Sequence, residues 1–138
     1  MLFRSLQWAP HVFHCNDWHT GLLPLELQTI HAWDRLFADT STVLTIHNIG
    51  YQGLFEVDTL KQIGLAEAAA MLPGEDLATG RINFLKTGIV LADLITTVSP
   101  THAIEIQSEA YGMGLDGVLR PRADRLVGIL NEIGRAHV

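Results

Sequence analysis

The sequence predicts an α/β fold, a mainly parallel sheet with flanking helices. Short runs rich in apolar and β-branched residues alternate with stretches of helical periodicity, their spacing matches strand–helix–strand units, and each apolar run closes on a polar cluster. Open α/β sheets bind ligands outside the carboxyl ends of their strands. Asn16-Asp17-Trp18-His19, His47-Asn48, Ser99-Pro100 and Asn131 are therefore expected along one edge.

Val12 to Cys15 reads as a brief first strand. Thr20 is expected to cap a helix carrying Leu22, Leu23, Leu25, Leu27 and Ile30, with Pro24 tolerated in its first turn. The β-branched run from Thr42 to Ile46 reads as the second strand, and Gly50 and Gly53 mark the loop after it. A short helix is expected over about 58–63, whereas 66–80, broken by Pro73-Gly74, gives no clear signal. Phe84, Leu85, Gly88, Ile89 and Ala92 recur at helical spacing and predict a helix over 83–92. Leu94 to Val98 is the third strand. Ser99 and Pro100 have the chemistry of an N-cap and a first helical position. A glycine-rich loop over 111–117 leads towards a last strand, Leu126 to Leu130.

Composition narrows the function classes. The 138 residues support one domain, and 48% hydrophobic with 17% charged residues describes a globular chain. Nine Lys and Arg against fifteen Asp and Glu give a net charge of −6, which argues against nucleic-acid binding because that affinity rests on clustered cations. The single cysteine, Cys15, excludes an internal disulfide framework. No apolar run reaches the ~20 residues of a membrane span, and the opening residues lack the apolar stretch of a secretory signal. The expected setting is the cytoplasm, with no membrane partner.

Two clusters carry the chemistry. In the first, His14 to Gly21, a zinc site from His14, Cys15 and His19, with His11, is disfavoured because adjacent strand residues point to opposite faces. Asp17 reads either as a cap with Trp18 packed on the sheet, or as part of a ligand edge where His19 hydrogen-bonds a substrate hydroxyl. In the second, Asn48, Tyr51 and Gln52 bring amide and hydroxyl groups suited to sugar recognition, against the plainer reading of a polar surface turn. Ser99 has no base beside it and reads as a cap, not a nucleophile. The carboxylates Glu26, Glu56, Asp58, Glu67, Glu75 and Asp76 read as a solvated face.

HCNDWHTGLLPL at 14–25, TIHNIGYQGLF at 45–55, NFLKTGIVLADLITTVSP at 83–100 and YGMGLDGVLRPRADRLVGILN at 111–131 together resemble bacterial glycogen synthases and plant starch synthases. The resemblance implies the GT-B architecture, two Rossmann-like halves facing across a cleft, with this chain forming part of the N-terminal, acceptor-side half over 1–131. It implies a retaining glucosyltransferase that moves glucose from ADP-glucose to the non-reducing end of an α-1,4-glucan, with no metal and no cofactor. By motif, His19 is the implied catalytic residue in contact with the transferred glucose, and Asp17, Asn48, Tyr51, Gln52 and Asn131 are the implied substrate-binding residues.

The family's Lys-Thr-Gly-Gly segment and its C-terminal half, which carries most nucleotide contacts, lie outside this sequence. A fragment of this kind is expected to be inactive alone. His102 and Ile104 stand where the family more often has Tyr and Arg. The heptapeptide 132–138 resembles a translated sequencing adapter and is expected to be a non-native tail. Two alternatives remain open: a non-catalytic carbohydrate-binding domain derived from such an enzyme, and another GT-B sugar-nucleotide glycosyltransferase.

Overall fold

A computed structural model describes residues 5–131, so the tail assigned to 132–138 lies outside the described residues. Four strands, β1 (Val12–Asn16), β2 (Ser41–Ile46), β5 (Leu94–Thr97) and β6 (Leu126–Gly128), form one sheet in the order β1-β2-β5-β6, with every neighbouring pair parallel. All four predicted strands are present, the last ending two residues early. The mainly parallel α/β architecture is the one the sequence predicts.

The register sorts the side chains by face. Cys15, Leu44, Ile95 and Leu126 stand in one row across the four strands and are all buried. Asn16, Thr45, Thr96 and Val127, one residue further along each strand, form the next row on the opposite face. The apolar row meets α4 (Phe84–Leu91) through Leu85 and Ile89, and Ile106 and Leu119 complete the same core.

Helix α4 was predicted to within a residue, and its ends show why it forms. Asn83 Oδ1 accepts the Lys86 N–H at 2.9 Å as an N-cap. At the other end Ala92 N–H donates to Gly88 O, Gln28 Nε2 to Leu91 O, and the Arg122 guanidinium to the carbonyls of Ile89, Val90 and Ala92. The last carbonyls of the helix are thus all satisfied. Burial, reinforced by Arg125, lowers the Arg122 pKa below its usual value.

Helix α5 (Pro100–Glu105) starts as the sequence indicates, with Ser99 Oγ accepting the His102 N–H at 3.0 Å. Helix α1 (Leu23–Gln28) departs from expectation. Thr20 does not cap it but belongs to a 3-10 turn, Trp18–Thr20, where its hydroxyl bonds the Asn16 backbone at 2.7 and 3.0 Å. Pro24 sits in the first turn as expected.

A small antiparallel pair, β3 (Leu54–Glu56) with β4 (Arg81–Asn83), was not foreseen. Between its strands lie α2 (Thr59–Gln62), a 3-10 helix at Ala66–Met71 and α3 (Gly74–Thr79), resting on a second core that includes Leu25, Leu60, Leu65 and Ile82. The solvated-face reading fails for Asp76. It is buried and pairs with Lys86 at 2.9 Å, because the strand pair carries α3 onto the start of α4. A short helix α6 (Asp116–Leu119) precedes β6.

Candidate functional site

Because the four strands run the same way, the residues after β1, β2, β5 and β6 share one edge. The first of these is Asp17, held at φ 57°, ψ −169°, a backbone region that is essentially glycine's own. Its N–H donates to Thr45 O at 2.9 Å, and its Oδ1 accepts the His47 N–H at 2.7 Å and faces the Asn48 N–H at 3.4 Å. Charge-assisted bonds of this kind offset the strain. Asp17 therefore opens the turn without capping it, and its carboxylate reaches sideways to the end of β2.

The turn that follows sets Trp18 and His19. Their rings stack at 4.1 Å between centroids with 27° between planes, and His19 is exposed. The Trp18 ring lies on Gly53, where a Cβ would come within 2.5 Å of it, and Gly53 has φ +68°. Beneath, the turn rests on α4 backbone against backbone: a Cβ on Gly21 would stand 2.4 Å from Phe84 O, and one on Gly88 2.8 Å from Gly21 O. These glycines are required by close approach.

The loop after β2 brings Asn48 and Tyr51 beside His19. Asn48 Oδ1 accepts the Gly50 N–H at 2.9 Å, while Tyr51 is 68% exposed. Asp17, Trp18, His19, Asn48 and Tyr51 line one depression of about 320 Å³. On its far side Trp18 and Tyr51 also border a second hollow of about 440 Å³ with Leu54, Phe55 and Met113. Gln52 borders the same hollow, half-buried, with its amide taken up by hydrogen bonds to Ile49, Met113 and Asn83.

Asn131 lies on the same edge but not in the same depression. Its N–H donates to Val98 O at 2.9 Å, and it borders a separate cleft of about 260 Å³ with His14, Thr45, His47 and Thr96. Three strand spacings, on the order of 14 Å, separate the ends of β1 and β6. Sequence reasoning missed the polar chain in this cleft: His14 Nε2 to Thr45 Oγ1 and Thr45 Oγ1 to Thr96 Oγ1, both 2.6 Å. The signal was available in the strand alternation, which puts Thr45 and Thr96 in phase. His14 and Cys15 point to opposite faces, as that alternation requires, and burial pushes the Cys15 thiol up to about 11.

The site can bind and orient polar hydroxylated ligands through a histidine, an amide, a phenol and an aromatic floor. Comparison with known proteins gives that chemistry a context. A model of the starch synthase catalytic domain matches residues 1–121. The glycogen synthase of Thermotoga maritima is 50% identical over 132 residues, covering 96% of this chain and 27% of its own length. That of Thermodesulfovibrio yellowstonii is 51% identical over 122 residues, covering 88% and 24%. The solved catalytic domain of starch synthase IV from Arabidopsis thaliana, bound to ADP and acarbose, superposes with a TM-score of 0.85 at 31% identity over 94% of this chain and 27% of that one. The chain thus spans about a quarter of the length of the relatives it matches.

Proposed function

The chain belongs to the starch synthase catalytic-domain family, and from that premise we propose that it forms the acceptor-side wall of a retaining glucosyltransferase, which transfers glucose from ADP-glucose to the non-reducing end of an α-1,4-glucan. The observation that carries the reading is the single depression shared by His19, Asn48 and Tyr51 on the carboxyl edge of a parallel sheet. The solved relative bound to ADP and acarbose supports the same ligand classes. The remaining wall, with the nucleotide contacts, is assigned to the C-terminal half of such an enzyme.

In this reading His19 is the catalytic residue, hydrogen-bonding the transferred glucose as positive charge develops on the sugar; the bond accelerates transfer to the extent that it strengthens there. Asn48 and Tyr51 hold the sugar, and Asn131 meets it from the β6 side when the cleft closes. Holding the acceptor hydroxyl in attack geometry and excluding water are the wall's main contributions, and such positioning can be worth about 7–11 kcal/mol.

Among the described residues, the depression is lined by no Lys or Arg that could bind a diphosphate. Incubated with ADP-glucose and a maltooligosaccharide, the 138-residue chain is expected to give no elongation; elongated product would overturn the assignment of the nucleotide contacts. In a full-length synthase containing this segment, His19→Ala is expected to abolish transfer while leaving the melting temperature within a degree or two. Full activity with Ala at 19 would overturn the assignment of His19 and favour a non-catalytic glucan-binding role for this wall.

A further inference from the structure

Asp17 and Gln52 are half-buried at the rims of the two hollows, Asp17 beside His19 and Gln52 beside Leu54 and Met113, and both spend side-chain hydrogen bonds on the protein itself. Asp17 fastens the entry of the loop after β2 through the His47 and Asn48 amides. Gln52 fastens its exit. Its Nε2 donates to Ile49 O at 3.1 Å and to Met113 O at 2.9 Å, and its Oε1 accepts from Asn83 Nδ2 at 2.6 Å. Asn83 is itself the N-cap of α4, so the exit pin is anchored on the helix that lines the main core. Between the pins, Tyr51 has no hydrogen bond from its hydroxyl and Asn48 none from its Nδ2 among the described residues.

We propose that Asp17 and Gln52 are positioning residues that fix the loop at both ends, so that Asn48 and Tyr51 meet ligand in one arrangement. The donor and acceptor pattern explains the residue types. The entry pin must accept from backbone amides at a strained residue, which a carboxylate does best. The exit pin must donate twice and accept once, which glutamine does and glutamate or leucine does not. A loop ordered beforehand spares the ligand the cost of ordering it. What the loop presents rests on the glucan reading above; the pinning does not.

Amide hydrogen exchange and acarbose titration on a full-length synthase containing this segment test this, with acarbose as the actual probe. Asp17→Ala is expected to speed exchange of the His47 N–H at least tenfold and weaken acarbose binding about tenfold, with exchange at Leu44 and Ile95 in the sheet unchanged. Asp17→Asn keeps an acceptor and should recover most of both. Gln52→Leu should free the Tyr51 N–H and weaken acarbose similarly, and Gln52→Glu should do no better, since it cannot donate to two carbonyls. The double variant should weaken binding by less than the product of the single effects, because both pins order one loop. Exchange as slow as wild type in Asp17→Ala and Gln52→Leu would overturn the proposal, and so would weaker acarbose binding without faster exchange, which would make the pins ligand contacts. Faster exchange in the variants with no acarbose binding by the wild type would leave the pins standing and bring down the glucan reading instead.

Discussion

The two faces of the four-stranded sheet are built by the same strands at alternate residues, and they differ in almost every physical respect. On one, Cys15, Leu44 and Ile95 are fully buried and Leu126 nearly so, sealed by α4 and the elements around α6. On the other, Thr45 and Thr96 join His14 in a chain of hydroxyl and imidazole hydrogen bonds, and Val127 is 44% exposed. One residue of register separates a face that holds the fold from a face that offers polar groups. The loops that present His19 and Asn48 grow from the ends of both, so the site inherits rigidity from one face and polarity from the other.

Substitutions matched across the sheet sharpen the contrast. Leu44→Ala leaves a void in the dry face and is expected to cost about 2–5 kcal/mol in denaturant unfolding; a loss under 1 kcal/mol would show that this face is not the main core. Cys15 provides a pH reading of the same face. Its folded pKa is raised by burial from 9.0 to about 11, so the unfolded thiol ionises first. Stability should be fully present below about pH 9 and fall as pH rises towards 11, by on the order of 2–3 kcal/mol at the limit. Native Cys15 should likewise resist iodoacetamide at pH 8 and react readily in urea.

The polar face should respond less. Thr45→Val keeps the side-chain shape but removes the hydroxyl between His14 and Thr96, with an expected cost of about 0.5–1.5 kcal/mol. A loss as large as that of Leu44→Ala would erase the distinction between the faces. Val127→Thr, on an exposed position of the same row, should stay within about 0.5 kcal/mol in the same measurement.

What could be read from the residues was what local physics decides. The β-branched runs, the apolar spacing of α4 and the Ser99-Pro100 start of α5 are set by neighbours a few residues away, and each is found where expected. The β3–β4 pair escaped because each strand is three residues long and 24 residues separate them, leaving no turn signal to join them. Asp76 looked like a surface carboxylate because its partner, Lys86, reaches it only once that pair has formed. The same limit divides the site. That the strand ends share one edge follows from strand order and was legible, as was the place of His19, Asn48 and Tyr51 upon it. The hydrogen bonds that tie up Asp17 and Gln52 were not, since their partners at 47, 83 and 113 come from other elements.

Beside the Trp18–Phe84 ring contact, Gly21 and Gly88 bring α4 and the end of the Trp18–Thr20 turn together backbone on backbone. Side chains at a contact can yield by changing rotamer, whereas two touching backbones move as one piece. A tilt of the helix, levered from its Arg122-held end, would therefore reach the imidazole at 19, and a single added methyl group at either glycine would shift the aim of the histidine from a distance.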